Sequence, residues 1–504
     1  MAQTQPTKKA GPDTESASFK KMKPLWLMIN ALLGGTAAMR EAGQELLPKH
    51  RREFDDDYKE RLDTNVLVNF FEWTLDGLVS KPFSEAPKYD NLPNGWEEDW
   101  LDDIDLQGNH ITVFLRNWFR DAYAKGFSHV LIDFPRVQAR EDGRPRTLDD
   151  DRREGLRPYW VQVAPENVLF AHSETVNGVE RLTQVRILEE ETEVTEWEEA
   201  VVRRIRVLRP GSVELYRQGT DKKWKLEDEW ETGLDAIPFV TYYAGTREGL
   251  HFAKPPLLDL AYLNVAHWQS SSDQRNVLKV ARFPLLAGSG LSSEDADALV
   301  VGPNRLLTTT DPQGKFYYVE HTGAAINAGQ KDLEALEDQM AGYGATHLKA
   351  QPGAQTATAR ALDSAEAISP LQAAVLDFED AVVQALDWTA AWAKLEQGGD
   401  VEFNKEFGLT LGDQTGLEIL RKTRETKDIS RKAWLEELKR RGLLRPEYDA
   451  EEDAQEIEDE ATNGLPELDL DPAQGNEDPD DQDAPENLPP SNQPPAPASA
   501  GGAD

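Results

Sequence analysis

Carboxylates are the abundant side chains in this sequence that could do acid–base chemistry. The 504 residues include 92 Asp and Glu, with adjacent pairs such as Glu97 and Glu98 or Asp102 and Asp103. A carboxylate-based glycosidase needs two such groups facing each other across a cleft, which a sequence does not show. In a chain with a net charge of −37, adjacent carboxylates are more typical of solvated surface.

Other catalytic and metal-binding motifs are missing or incomplete. The motifs G-x-x-x-x-G-K-[ST], H-E-x-x-H and G-x-S-x-G do not occur, and GFSHV at residues 126–130 matches only half of the last. DIDLQG at residues 103–108 begins like a calcium loop, but Phe114 stands where the bidentate Glu belongs. The absence of cysteine excludes thiolate nucleophiles and Cys-ligated zinc. We therefore expect a non-enzyme with no catalytic, cofactor-binding or metal-binding residues.

The first half of the chain predicts a mixed helix-and-sheet domain, so the expected fold class is α+β. Residues 1–20 are polar and predict disorder. Helical spacing of apolar residues covers 21–80 and 110–125, and β-rich segments recur between residues 129 and 245. The apolar run at 24–33 resembles a signal peptide, but its interruption by Asn30 favours an ordinary globular helix. Since no run reaches 18 apolar residues, we predict no membrane span.

Residues 255–350 have a layout of helix, compact insert, helix and loop. Pro255 and Pro256 suit the entry to a helix that runs to about residue 282, with a wholly polar middle at 269–276 that predicts partial exposure. A Gly-, Pro- and β-rich insert follows, with short strands predicted at 283–286, 304–309 and 315–320 and a short helix at 292–299. A second helix and a Gly/Pro loop come next. This layout suits a ring-forming channel subunit better than an enzyme pocket.

The second helix carries one apolar seam with spacings of 3, 4, 3 and 4 residues. Its members are Leu333, Leu336, Met340, Tyr343 and His347. A single seam predicts one helical neighbour, which is either the first helix of the same chain or a helix of a neighbouring subunit. His347 is then a packing or interface residue rather than a metal ligand.

The C-terminal third predicts a long helix with a break or kink at Pro370, two shorter basic helices and an acidic tail. The long helix has an apolar stripe at Leu371, Val375, Phe378, Val382 and Leu386. Residues 421–445 contain ten Lys or Arg and four Asp or Glu, a net charge of +6. The tail from residue 446 contains 19 Asp or Glu, no Lys or Arg and ten prolines, which predicts disorder.

An ordered series of segments across residues 24–445 resembles the portal proteins of tailed bacteriophages, most closely a siphophage-type group formerly known only as a domain of unknown function. The segments are LLGGTAAMREAGQELLPKH, DDIDLQGNHITVFLR, GFSHVLIDFP, KPPLLDLAYLNVAHWQSSSDQRNVLKVARFPLLAG, GAAINAG and DISRKAWLEELKRRGLL. None of them is a catalytic signature, and the order of the series carries the resemblance.

The resemblance implies the portal fold in a homo-oligomeric ring, usually of twelve subunits. Its parts map onto this chain as follows: disordered N-terminus 1–20, wing 21–255, stem helix 256–282, clip 283–328, second stem helix 329–349, tunnel loop 350–357, kinked wing helix and return 358–412, and crown helices 413–445. The acidic tail, 446–504, lies beyond the resemblance. The resemblance therefore implies no role for the acidic tail.

The resemblance also implies partners and a location. The ring would sit at one capsid vertex of the virion after assembly in the bacterial cytoplasm. Double-stranded DNA would pass through its channel, driven by the terminase large subunit and later ejected. The major capsid protein, the scaffolding protein and a head–tail adaptor would bind the ring. No association with a membrane is expected.

Residues Lys349, Gln351 and Gln355 flank Pro352 and Gly353 in the predicted tunnel loop and could contact phosphates without reading bases. The alternative is an ordinary connecting loop.

The chain as a whole lacks the basic footprint of a duplex binder, so we expect DNA to slide past a net-negative wall. The basic stretch at 421–445 either faces DNA or is a solvated helical face neutralised by the tail.

Two other functions remain open from the sequence. One is a capsid or tail scaffold ring that is not a portal. The other, more remote, is a carboxylate-based glycoside hydrolase.

Overall fold

The structure is a computed structural model with mixed α and β elements. It describes residues 11–96, 100–136, 153–194, 197–282, 285–289, 311–319, 323–345, 357–405, 407, 414–440, 443–444, 448–449, 453 and 455. The chain divides into two compact units, Met1–Thr415 and Gly416–Asp504. The first unit holds all the described strands.

The described helices follow the order of the predicted helical segments. They are α1 (Ala17–Leu33), α2 (Gly35–Ala42), α3 (Asp55–Thr64), α4 (Phe70–Val79), α5 (Ile111–Lys125), α6 (Leu258–Ala281), α7 (Ala324–Met340), α8 (Ala357–Trp392), α9 (Gln414–Glu425) and α10 (Arg431–Arg440). Short 3₁₀ turns lie at Gly43–Glu45 and Pro165–Asn167, and a π-helical turn at Ala341–Ala345 follows α7.

The described strands form antiparallel sheets. They are β1 (Lys88–Asp90), β2 (Phe127–Asp133), β3 (Tyr159–Val163), β4 (Val168–Val176), β5 (Val179–Val194), β6 (Glu199–Arg209), β7 (Ser212–Gln218), β8 (Trp224–Glu231), β9 (Phe239–Tyr243), β10 (Thr246–Gly249), β11 (Phe252–Lys254), β12 (Leu285–Ser289), β13 (Lys315–Val319) and β14 (Asp400–Glu402).

A three-stranded sheet in the order β3-β2-β9 lies beside a five-stranded meander, β4-β5-β6-β7-β8. The remaining pairs are β1-β14, β10-β11 and β12-β13. In the meander, the register places Val185 opposite Leu208 and Val207 opposite Glu214. Strand β8 was not predicted, because KWKLEDEWE is too polar to show a buried face and forms a strand by pairing with β7.

Aromatic rings from three elements form the centre of the larger core. Trp118 and Phe119 of α5 contact Phe378 of α8, each at 5.1 Å between centroids, and Tyr242 of β9 stacks on Phe119 at 5.7 Å. The Tyr242 hydroxyl donates to the carbonyl of Ala374 at 2.8 Å. Helices α5 and α8 are thereby fixed against the three-stranded sheet. Aromatic pairs of this kind add about 0.5–1.5 kcal/mol each beyond their buried area.

The N-terminal disorder predicted for residues 1–20 does not extend over residues 11–20, which the structure describes. Ser16 caps α1 by accepting a hydrogen bond from the Phe19 amide at 3.0 Å, and Phe19, Met22 and Trp26 are buried. Polar composition alone could not reveal this helix start, since the apolar residues that stabilise it contact distant strands. Residues 1–10 lie outside the described part of the chain.

Proline does not break the long C-terminal helix. Helix α8 continues through Pro370, so the predicted break is wrong, whereas the alternative of a kink stays a prediction. Proline removes one backbone donor from the helix, whereas the apolar stripe beyond it is fully packed. Leu371, Val375, Phe378, Val382 and Leu386 are all at most 1% exposed, so that part of the prediction is confirmed.

Candidate functional site

Helices α6 and α7 pack side by side and run antiparallel. Three contacts fix this direction: His267 with Glu337 (3.4 Å), Ser270 with Asp332 (2.6 Å) and the Gln274 amide with the carbonyl of Ile326 (2.9 Å). As the residue number rises along α6, the number of the contacting residue on α7 falls. We call α6, β12, β13 and α7 the two-helix block.

Strands β12 and β13 form a hairpin-like pair between the two helices of the block. Their register runs from Leu285 opposite Val319 to Ser289 opposite Lys315. They fall at or near two of the predicted short strands. The third predicted strand and the predicted short helix of the insert lie outside the described residues. Tyr317 is exposed on β13.

The residues of the predicted apolar seam of α7 differ in burial. Leu333 and Leu336 are half-buried, and Met340 is fully buried. Tyr343 is 38% exposed, because the π-helical turn at Ala341–Ala345 changes the angular spacing after Met340. His347 lies outside the described residues. Of the two neighbours left open by the sequence, α6 of the same chain lies against α7.

The polar middle of α6, residues 269–276, is partly exposed, as predicted, because residues 273–276 lie mostly on the surface. Ser271 and Ser272 are buried, and Gln269 donates to the carbonyl of Leu46 at 2.9 Å. Asp273 pairs with His50 at 3.2 Å. The sequence did not show that these polar side chains bind backbone and side-chain groups of neighbouring elements.

Arg61 of α3 is the centre of these contacts. Its guanidinium binds both carboxylate oxygens of Glu53, at 2.7 and 3.0 Å, and donates to the Pro48 carbonyl at 2.9 Å and to Ser272 at 3.3 Å. The hydrogen bond from Arg61 lowers the pKa of Glu53. Both side chains are almost fully buried. The pair therefore locks α3 onto the middle of α6.

The outer face of α7 is acidic. The helix contains Lys331 and the four carboxylates Asp332, Glu334, Glu337 and Asp338, a net charge of −3. Glu334 and Asp338 are exposed, whereas Glu337 is half-buried towards α6. Burial lowers the pKa of His267 against the opposing effect of Glu337. A surface lined by this face would repel phosphates rather than bind them.

The three residues predicted to contact DNA, Lys349, Gln351 and Gln355, lie outside the described residues. The chain is described up to Ala345 and again from Ala357, where α8 begins. The placement of these three side chains remains a prediction.

In the calcium-like loop, residues 103–108, the carboxylates accept hydrogen bonds from other groups of the protein. Asp105 accepts hydrogen bonds from the Gln107 amide at 2.9 Å and from the Asn109 side chain at 2.7 Å, and Asp103 accepts one from the Gly108 amide at 2.7 Å. Burial alone would raise the pKa of Asp105, but the hydrogen bonds from Asn109 and Gln107 lower it. Within the described ranges, no group of three or more His, Cys, Asp or Glu is arranged to hold a metal ion.

The two basic helices, α9 and α10, form part of the second compact unit. Ser430 caps α10 by accepting a hydrogen bond from the Ala433 amide at 3.1 Å. Arg431 pairs with Asp453 at 2.8 Å, and Lys439 donates to the Tyr448 carbonyl at 2.9 Å. The start of the acidic segment therefore contacts α10. None of the helices that the structure describes has the length and hydropathy of a membrane span.

Comparisons with known proteins give one family match. The family described as "Domain of unknown function (DUF4055)" matches residues 256–393, which run from the start of α6 through α8. No curated protein matches the sequence.

Solved structures give distant likenesses. One is "Neck of empty GTA particle computed with C6 symmetry", with 10% identity, a TM-score of 0.40 and coverage of 74% of this chain and 89% of that one. "Neck of native GTA particle computed with C12 symmetry" and "Virion of native gene transfer agent (GTA) particle" each have 10% identity, a TM-score of 0.38 and coverage of 72% and 88%. Since these TM-scores lie below 0.5, we argue the function from the chain's own residues.

Proposed function

We propose that this chain is a portal subunit of a phage-like particle. Copies of it would form a ring that connects head and tail, and double-stranded DNA would be packaged and ejected through the central channel. The observation that carries the proposal is the two-helix block: antiparallel α6 and α7, joined beyond their ends by a small β module and followed directly by the loop and α8. The same order of parts underlies the sequence resemblance to portal proteins.

The contacts that hold the two-helix block in place support this role. Arg61, which Glu53 holds in place, binds Ser272 in the middle of α6, and Ser270, Gln274 and His267 bind α7 to α6. A channel wall has to resist the force of a moving polymer. A pair of helices held by packing and by buried polar bonds meets that need, because removing one partner of a buried bond leaves the other unsatisfied.

The charge of α7 supports passive translocation. With a net charge of −3 over seventeen residues, α7 offers few sites that would attract and hold phosphates. The sequence contains no phosphate-binding G-x-x-x-x-G-K-[ST] loop, so we assign the energy source to a separate terminase motor that docks on the β module. Head-completion proteins would bind there after packaging.

Electron microscopy of the purified full chain tests the proposal. We expect closed rings with a central hole wide enough for a DNA duplex, with twelve subunits by native mass spectrometry. A stable monomer at micromolar concentration, or a ring whose hole is too narrow for a duplex, would contradict it. Gel densitometry of particles separates a portal from another scaffold ring, since a portal ring occupies one vertex and contributes a single ring per particle.

A further inference from the structure

A cavity of about 390 Å³ lies between the first described residues and one face of the five-stranded sheet. Gly11, Pro12, Thr14 and Glu15 form one wall. This segment is held in place, because the Thr14 amide donates to the Gly11 carbonyl at 3.0 Å and the Ser16 amide donates to the Leu169 carbonyl at 2.8 Å. The opposite wall comes from strands β4 to β7.

Arg186 is the distinctive side chain of this cavity. Its guanidinium stacks over the ring of Phe170 at 4.2 Å and donates one hydrogen bond, to the Gln184 side chain at 3.1 Å. Within the ranges that the structure describes, no carboxylate forms an ion pair with it. The ten residues before Gly11 contain no Asp or Glu that could supply one. Burial and the nearby Arg209 both lower the pKa of Arg186.

The other charges of the cavity are already paired. Arg209 binds Glu214 at 3.1 Å, and Glu15 binds Lys23 at 2.7 Å. The Tyr216 hydroxyl donates to Glu214 at 2.9 Å. Among the described residues that line the cavity, Arg186 is therefore the cation without a carboxylate partner, and it is half-buried and oriented by an aromatic ring. An arginine has five N–H donors in a planar fork, which suits a carboxylate.

We infer that this cavity binds a single carboxylate group, which pairs with Arg186 while its carbon chain lies against Phe170, Val207 and Pro12. Two carboxylates in the lining, Glu15 and Glu214, oppose a phosphate dianion or a polyanion such as DNA. A monoanion on a short apolar stem fits both the charge and the volume. Its source is either a Glu or Asp side chain of a partner peptide or a free organic acid.

Calorimetric titration of the full-length chain tests this inference. The probes are a capped Gly-Glu-Gly peptide, its Gly-Gln-Gly counterpart, butyrate and inorganic phosphate. We expect saturable 1:1 binding of the Glu peptide or butyrate, at least about tenfold weaker binding of the Gln peptide, and no preference for phosphate. Tighter binding of the peptide identifies a protein partner, and tighter binding of butyrate identifies a small molecule.

Two substitutions locate the binding at Arg186. Arg186→Gln should weaken binding of the carboxylate probe at least about tenfold, because it removes the charge. Arg203→Gln is the matched control on the neighbouring strand, since Arg203 is exposed and pairs with Glu190 at 2.8 Å, and it should bind like the unchanged protein. Equal binding by Arg186→Gln, no saturable binding of either carboxylate, or tighter binding of phosphate would each overturn the inference. Circular dichroism verifies that both variants fold.

Discussion

Arg61 and Glu53 form a buried ion pair that joins α3 to the middle of α6. The Arg61 and Glu53 side chains are 4% and 7% exposed. Nothing in the spacing of Arg61 distinguishes it from other arginines of the chain, since its partners lie 8 and more than 200 residues away. The pair shows how a polar stretch of a helix can be an interior contact rather than an exposed one.

Replacing Arg61 by Leu should destabilise the first compact unit by about 3–5 kcal/mol, because it leaves the Glu53 carboxylate buried without its partner. Urea unfolding followed by circular dichroism measures the change. Lys279→Leu is the control: its ion pair with Glu60 is about half exposed, so a loss of at most about 1 kcal/mol is expected. Equal losses in the two variants would show that the Arg61 pair has no special role.

His129 and His251 form a buried pair beside β2 and β9, with ring centroids 4.4 Å apart. Both rings contact the Thr241 hydroxyl, at 2.9 and 3.3 Å. Burial lowers the pKa of His129 well below 6.5, and burial lowers that of His251 to about 3, with the charge of Arg247 adding to the effect. The folded chain therefore binds fewer protons than the unfolded chain below pH 6.5.

These two groups should make the protein less stable in acid. Their contribution is fully present above about pH 6.5 and is lost as the pH falls towards 3, because the unfolded chain takes up the protons first. His251→Asn suits the positive φ of 52° at this position and should reduce the stability loss between pH 7 and pH 5 by about 2 kcal/mol. Urea unfolding at both pH values measures this. The exposed His172→Asn should leave the loss unchanged.

At the scale of elements, α7 depends on Met340 rather than on the whole predicted seam. Met340→Ala should cost about 2–5 kcal/mol, because the side chain is fully buried where α7 passes into the π-helical turn. Tyr343→Ala, from the same predicted seam, is the control and should cost less than about 1 kcal/mol, since Tyr343 is 38% exposed. Thermal unfolding distinguishes the two. A larger loss for Tyr343 would indicate that it packs against another subunit.

The contacts of α10 with the acidic segment lead to a prediction for DNA binding. Truncation after Arg445 removes Asp453 and Tyr448, which bind Arg431 and Lys439. We expect tighter binding of duplex DNA and a steeper dependence of log affinity on log salt, because freed cations displace counterions from phosphates. Fluorescence anisotropy across a salt series measures both. An unchanged salt slope would mean that the basic helices are a solvated face without a DNA role.

At the scale of the whole molecule, the predicted tunnel loop, residues 350–357, is the segment that we expect to contact DNA. Deleting residues 351–356, which include Gln351 and Gln355, should leave ring formation intact but impair DNA packaging or retention. Electron microscopy measures the first and protected DNA per particle the second. Substituting Lys349 by Ala tests the phosphate contact alone and should have a smaller effect in the same direction. Normal packaging by the deletion variant would show that the loop is only a connection.

The sequence by itself determined the order of the elements and the absence of familiar catalytic motifs. The helix predicted at 110–125 forms as α5 (Ile111–Lys125), and the stripe from Leu371 to Leu386 is buried as predicted. Residue types and their spacing within one element indicate such features, so the local sequence is enough to reveal them. Only the tertiary structure decided which helix lies against α7, that the polar middle of α6 faces α3 and α7, and that Arg186 faces a cavity without a carboxylate partner among the described residues. These depend on residues distant in sequence, since Arg61 and Ser272 meet only when the chain has folded around them.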